Sequence, residues 1–385
     1  MRSETKEQCI SGECFRVTYR IQGSEKEACS QAKDICFEQT VELPEELITD
    51  KFIRDYVVGR IESFTPWGRS GFEAVISYAK ETAAGELTQL LNVIFGNISI
   101  KPGIRVCALE LPKSMLGQFS GPRFGPAGMR KFFALPERPL LCTALKPMGC
   151  SAEQLANLAY RCALGGIDII KDDHSLTNQL FAPFKKRVEL CAEAVGQANA
   201  KTGNKSVYVA NVTAPFDQIF RRIELAKKAG AKGIMLAPGV VGWDALRHIA
   251  ADDNIGLPIF SHPALQGSFI VNADSGMAHG LLLGYLPRLC GADAVIYPNF
   301  GGRFSFTKED CADIVRAAST PLGHIRPVFP CPGGGMSLQR IPELLKFYGK
   351  DAIFLVGAGL FTYGADFSAN CRYFRELVIQ YAEGL

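Results

Sequence analysis

The densest chemistry in the sequence is the run Lys171-Asp172-Asp173-His174. Alternate residues of a strand share a face, so Lys171 and Asp173 point together while Asp172 points away. A lysine beside a carboxylate is either a buried salt bridge or a carbamate, in which CO₂ added to the neutral amine makes an anionic oxygen ligand. With Asp173 and His174, a carbamate on Lys171 would hold one divalent cation. A second lysine, Lys146, closes the apolar run PLLCTALK. Two glycine-rich stretches follow much later, Pro332-Gly333-Gly334-Gly335 and Gly357-Ala358-Gly359. They are either tight turns needing positive φ or loops whose N–H groups approach an anion such as a phosphate.

From about residue 139 the elements that would carry these groups alternate regularly. Apolar strands are expected at 139–146, 167–170, 207–212, 233–237, 258–261, 293–298, 326–329 and 352–356. Helices are expected at 151–164, 176–200, 215–230, 242–250, 275–290, 307–318, 338–348 and 366–383. Ser151 and Gln154 form a capping box at the start of the first helix. Eight such units fit a (β/α)₈ TIM barrel, whose strands are buried on both faces and so read as continuously apolar. A doubly wound sheet would want a glycine fingerprint after its first strand, where the sequence reads KPMGCS. In a barrel, catalytic groups sit at the carboxyl ends of strands, and the loops after strands seven and eight commonly hold phosphate. Lys146, the Lys171–His174 run, Asn211, Ser261-His262, Asn299–Arg303 and both glycine-rich loops all fall at such ends.

Residues 1–125 lack this alternation. Strands are expected at 15–21, 72–78 and 104–111, with helices at 24–37 and 86–95, which makes a smaller α+β domain of ferredoxin-like type. Residues 126–138 read as a linker and 139–385 as the barrel. At 385 residues the chain needs two such parts. Hydrophobic residues at 47% and charged residues at 21% exclude disorder, and a net charge of +3 with no basic run excludes nucleic-acid binding. The apolar runs are too short to span a membrane. The thirteen cysteines are scattered without paired zinc spacing, as expected of reduced thiols in a cytoplasmic protein.

Residues 163–174, ALGGIDIIKDDH, resemble the metal-site motif of RuBisCO and the RuBisCO-like (form IV) proteins, in which KDD is followed by glutamate. TALKPMG resembles the family's T-x-KP-x-x-G strand, and FSGPRFGPAGMRKFF its domain-joining segment. PGGGMSLQRIPELLKFYGKDAIFLVGAGLFTYG resembles its paired phosphate loops. The resemblance runs in order along nearly the whole chain. It implies Lys146 as the catalytic lysine at the enolate, Lys171 as the carbamylated lysine and Asp173 as a metal ligand, with Mg²⁺ the expected ion. His174 stands in the glutamate's place, either as a ligand that tolerates softer metals or as an acid/base outside the coordination sphere. Gly334, Gly335, Gly357 and Ala358 fall on loops that bind one phosphate, and His279 falls on an active-site histidine. Glu38 and Asn97 fall on residues that complete the site of the partner subunit, which implies a homodimer.

Departures from the family pattern narrow the chemistry. Met148, Leu281, Ile296 and Gly333 stand where the family has a second lysine, an arginine, a histidine and a serine. Contacts to the second phosphate of a bisphosphate are lost together, and a dry pocket without cations disfavours a phosphate dianion. Arg303 aligns with the mobile-loop lysine. Bisphosphate carboxylation is therefore not expected, while the enolising half of the machinery survives. The first reading is isomerisation of 5-methylthioribulose 1-phosphate, whose methylthio end suits the apolar replacements. The second is decarboxylation of a branched 3-oxo sugar-acid phosphate, with Arg303 gripping the leaving carboxylate. A 2,3-diketo-5-methylthiopentyl-1-phosphate enolase would be expected to keep the glutamate. A non-catalytic regulatory relative would not need Lys146, Lys171 and Asp173. Cys331 either packs as a core thiol or helps to move the proton.

Overall fold

The computed structural model describes residues 10–135 and 137–383. The chain divides into two compact units, 1–119 with 266–282, and 120–265 with 283–385. Among the described residues, no helix is long and apolar enough to cross a membrane.

The first unit is built on a sheet of β1 (Cys14–Gln22), β2 (Arg60–Trp67), β3 (Gly71–Ala79) and β4 (Ile104–Glu110). Strand β1 lies between β4 and β3, antiparallel to both. Its alternation buries Phe15, Val17, Tyr19 and Ile21 completely. Helix Glu25–Glu38 starts at the Ser24 capping box and buries Ala28, Ala32 and Ile35, the i, i+4, i+7 stripe of an amphipathic helix. Helix Leu87–Phe95 is tied to the sheet by the Tyr19 hydroxyl, which donates to the Ile94 carbonyl at 2.9 Å and meets the Tyr78 hydroxyl at 3.1 Å. Strand β2 has no counterpart among the expected strands. It is an edge strand with mostly exposed residues and Pro66 near its end, so it lacks the apolar alternation that marks a half-buried strand.

The second unit is a closed barrel of parallel strands. In chain order they are β5 (Leu140–Leu145), β6 (Ile169–Asp172), β7 (Val207–Asn211), β8 (Gly233–Leu236), β9 (Ile259–Ser261), β11 (Ala294–Pro298), β12 (Phe329–Gly333) and β13 (Ile353–Leu355). Its interior packs Leu140, Cys142, Ile169, Val209, Met235, Phe260, Ile296, Phe329 and Ile353 into one cluster. The missing number, β10 (Gly276–Met277), belongs to the first unit, where it pairs parallel to β4.

Five expectations change. Helix Gly125–Phe133 occupies most of the stretch read as a 126–138 linker. Met129 and Phe133, four residues apart, put its apolar face into the barrel cluster, and the Asp293 carboxylate accepts the Phe124 and Gly125 N–H groups at its start. The unit boundary accordingly falls after Phe119 rather than at residue 125. The helix expected at 275–290 is broken into β10, a π-turn at Leu281–Tyr285 and a short helix at Leu286–Leu289, because Gly276 and Met277 are captured by the edge of β4. The helix expected from residue 176 starts at Phe184, after a loop closed by Asn178 accepting the Phe184 N–H at 2.8 Å. The seventh barrel strand lies at Phe329–Gly333 rather than 326–329. Pro330 and Pro332 interrupt its donors, yet its pairing to β13 is confined to Gly333 opposite Leu355, so the prolines are tolerated.

At the amino-terminal end of the barrel, Arg138 and Asp168 form a buried two-bond ion pair at 2.7 and 2.9 Å, and Asp168 also accepts the Leu141 N–H at 2.8 Å. Removing one partner leaves a buried charge uncompensated. Asp168→Ala is expected to destabilise the barrel unit by about 3–5 kcal/mol, read as a lower urea midpoint. An unchanged midpoint would show that Arg138 is solvated without its carboxylate.

Candidate active site

Strand register sets the site. Leu145 lies opposite Asp172 in the β5–β6 pairing, so the next residues, Lys146 and Asp173, emerge side by side at the carboxyl end of the barrel. The Lys146 ammonium sits 3.1 Å from Asp173 Oδ1. His174 Nδ1 is 3.5 Å from the same oxygen, and the Ser175 hydroxyl donates to Asp173 Oδ2 at 3.3 Å. Lys171, two residues earlier on the same face, is 1% exposed. Its ammonium nitrogen donates to the Asp172 carbonyl at 3.0 Å. Asp172 faces the other way, as the alternation requires. Its carboxylate meets Arg187 at 3.3 Å, the Tyr208 hydroxyl at 2.7 Å and the Asn211 N–H at 3.0 Å.

The electrostatics bias the buried lysine towards its neutral form, beneath an ionised carboxylate. Burial lowers the pKa of Lys171, partly opposed by Cys142 and Asp173. The neutral amine is the form that adds CO₂. Burial alone would raise the pKa of Asp173, but the hydrogen bond to His174 and the charges of Lys171 and Lys146 outweigh it, and the group titrates well below the usual carboxylate range.

His262, just past β9, completes the cluster. Its ring stacks on His174 with centroids 4.6 Å apart and 15° between planes. Its Nδ1 accepts the Ala264 N–H at 3.2 Å. Burial holds its pKa well below normal, which favours the neutral ring. The sequence placed Ser261-His262 at a strand end but assigned the histidine no role. Its position at a strand end in a chain with five histidines was the available signal.

Among the described residues, no three His, Cys, Asp or Glu side chains converge on a metal position. Asp173 and His174 provide two donors, and the buried Lys171 amine becomes a third only as a carbamate. The arrangement therefore fits a divalent ion held through that modification, with the imidazole as the softer of its donors.

The loops after β11 and β12 meet backbone to backbone. A Cβ on Gly302 would lie 2.9 Å from Gly335 Cα, and one on Gly335 would lie 2.3 Å from Gly302 Cα. Gly334 and Gly335 have φ of +74° and +65°. Arg340 ties the two loops by donating to the Phe300 carbonyl at 2.9 Å and the Gly335 carbonyl at 3.1 Å. Gly357 precedes the short helix Ala358–Thr362, and a Cβ there would be 3.9 Å from Lys146 Cε, so this loop abuts Lys146. Arg303 is exposed, with its guanidinium 4.9 Å from the Phe304 ring centre.

The structure thus brings together Lys146, Lys171, Asp173, His174 and Gly357, and pairs the loop of Arg303 with that of Gly334 and Gly335. Glu38, Asn97 and His279 belong to the first unit. There, Asn97 Nδ2 donates to Glu38 Oε1 at 3.0 Å. Gly333 has a packing reason, since a Cβ would lie 2.8 Å from Leu355 Cδ2. Cys331 is fully buried opposite Ile296, and burial followed by contact with the Cys142 thiol pushes its pKa far up. An inert packed thiol is the reading this supports.

Comparison with known proteins agrees with this fold. The family described as ribulose bisphosphate carboxylase large chain, catalytic domain, matches residues 126–371. Ribulose bisphosphate carboxylase-like protein 1 of Rhodopseudomonas palustris is 39% identical over 367 residues, covering 95% of this chain and 98% of that protein. The 5-methylthioribulose-1-phosphate isomerase of Rhodospirillum rubrum is 38% identical over 347 residues, covering 90% and 91%. A crystal structure of a Rubisco-like protein from Rhodopseudomonas palustris superposes with a TM-score of 0.86 at 36% identity, covering 95% and 98%. The chain belongs to the RuBisCO large-chain family, among its RuBisCO-like members.

Proposed function

We propose that the protein is a cytoplasmic enolising isomerase of a ketose monophosphate, and that 5-methylthioribulose 1-phosphate is its substrate. The observation that carries this reading is the Lys146–Asp173 ion pair set at the barrel mouth directly above the buried, pKa-depressed Lys171. The identity to a methylthioribulose-phosphate isomerase over 90% of the chain supports the substrate. Lys171 as its carbamate, Asp173 and His174 would hold one Mg²⁺ or similar ion, which supplies positive charge to the ketone and neighbouring hydroxyl oxygens. Lys146 exchanges its partner Asp173 for substrate. As the neutral amine, it takes the proton from the carbinol carbon beside the ketone and returns it to the former ketone carbon while the hydroxyl proton passes to the former ketone oxygen, which moves the carbonyl one carbon along, and a second transfer of the same kind brings it next to the methylthio-bearing carbon. The neutral His262 ring keeps His174 oriented by stacking. Gly334, Gly335, Gly357 and Ala358 present backbone N–H groups to the single phosphate. Met148, half exposed beside Gln179, offers an apolar wall for the methylthio end. Glu38 and Asn97 act together, consistent with their hydrogen bond, and complete the site of the other protomer in a homodimer. His279 acts with them on the substrate.

The exposed Arg303 favours a second reading, in which it holds the carboxylate of a branched 3-oxo sugar-acid phosphate before CO₂ leaves. The two readings separate in one experiment. The protein in deuterated buffer is expected to exchange substrate carbon-bound protons of 5-methylthioribulose 1-phosphate without CO₂ release. Stoichiometric CO₂ from the 3-oxo acid phosphate, with no exchange, would replace the first reading by the second.

Lys146→Met and Lys171→Met are each expected to lower exchange by roughly 10²–10⁴-fold while the fold persists by circular dichroism. Retained activity in both would remove the family assignment of these lysines. Chelation is expected to abolish exchange, with recovery requiring both Mg²⁺ and bicarbonate. Recovery by Mg²⁺ in CO₂-free buffer would refute the carbamate.

A further inference from the structure

We propose that the barrel carries a second ligand site, at the end opposite Lys146, for a small phosphate-bearing anion. A cavity of ≈ 480 Å³ opens where the chain enters the strands. Arg138 precedes β5, Asp168 precedes β6, Lys205 precedes β7 and Lys350 precedes β13, and all four line it. The volume lies within the roughly 300–1,000 Å³ range of small-molecule pockets. Strands β5 and β6 run from this mouth to Lys146 and Asp173, so the cavity is separate from the substrate's glycine loops.

Its charge is unbalanced towards cations. Arg138 and Asp168 neutralise each other through their two bonds. Lys205, Lys350 and Arg375 remain, against the exposed Glu137 and Glu383. Among the described residues, none of these three cations is in an ion pair.

Arg375, on helix Phe367–Ala382, gives the site a specific anchor. Its Nη1 donates to Asn204 Oδ1 at 2.9 Å. Its Nε is buried and has no hydrogen-bond partner. Arg375 lines the cavity, and a guanidinium presents N–H groups in a fork that matches the oxygens of a phosphate. Gly166, with φ of +78°, leaves room for this side chain, since a Cβ there would lie 2.5 Å from Arg375 Nη1. Leu135 and Ile379 line the same cavity and suit the carbon part of a phosphate ester.

The test is a soak of crystals in sodium tungstate, a heavy phosphate analogue, over a concentration series. An anomalous peak beside Arg375 is expected, with roughly tenfold weaker binding in Arg375→Gln. Lys205→Gln alters an exposed side chain that the fold does not need, and it is also expected to weaken the peak. Proton-exchange turnover and melting temperature should stay at the parent level in both variants. No peak at millimolar tungstate, or a peak undiminished in both variants, would overturn the site. Any peak at the Gly335 and Gly357 loops reports on the substrate phosphate instead, so the two readings fail independently.

Discussion

The carboxylate of Asp172 accepts hydrogen bonds from Arg187, Tyr208 and the Asn211 amide in a place with no exposed surface. A buried carboxylate is tolerable only with such compensation, and once gripped it cannot turn. Because strand side chains alternate, fixing Asp172 outward fixes Lys171 and Asp173 inward. A slip of one residue would exchange these roles and bury the chemistry against helix Phe184–Thr202. Asn211 extends the same restraint into the following loop, where its side-chain amide donates to the carbonyls of His174 and Leu176 at 2.9 and 3.0 Å.

On that frame the site is a graded stack of charge. Lys171 lies deepest and is driven towards neutrality by burial, while Asp173 above it is held ionised by its neighbours. Lys146 and the two stacked histidines border the mouth. The shift of Lys171 follows from its depth and that of Asp173 from its neighbours, so the strand that places these two residues also biases their protonation.

Much of this was legible in the sequence because the barrel strands are buried on both faces and announce themselves as unbroken apolar runs. The Lys171–His174 cluster was legible for the same reason, since charged residues ending such a run are costly unless used. What escaped had weaker local signals. Strand β2 is exposed and β12 is interrupted by prolines, so neither shows its period. Helix Gly125–Phe133 is short, and it is revealed as a barrel plug only by what Met129 and Phe133 touch. His262 became significant through the ring it stacks on, a relation between strands far apart in sequence.

The contact between Gly302 and Gly335 has a mechanical consequence. With no side chain between them, the loops after β11 and β12 share a surface, and neither can be displaced without carrying the other. Arg340, bonded to a carbonyl in each, adds a rivet to that seam. Any ligand selectivity at this rim is therefore a property of the joined pair. A change of loop length or residue size on one side is felt on the other, and new specificities would have to arise by altering both loops in concert.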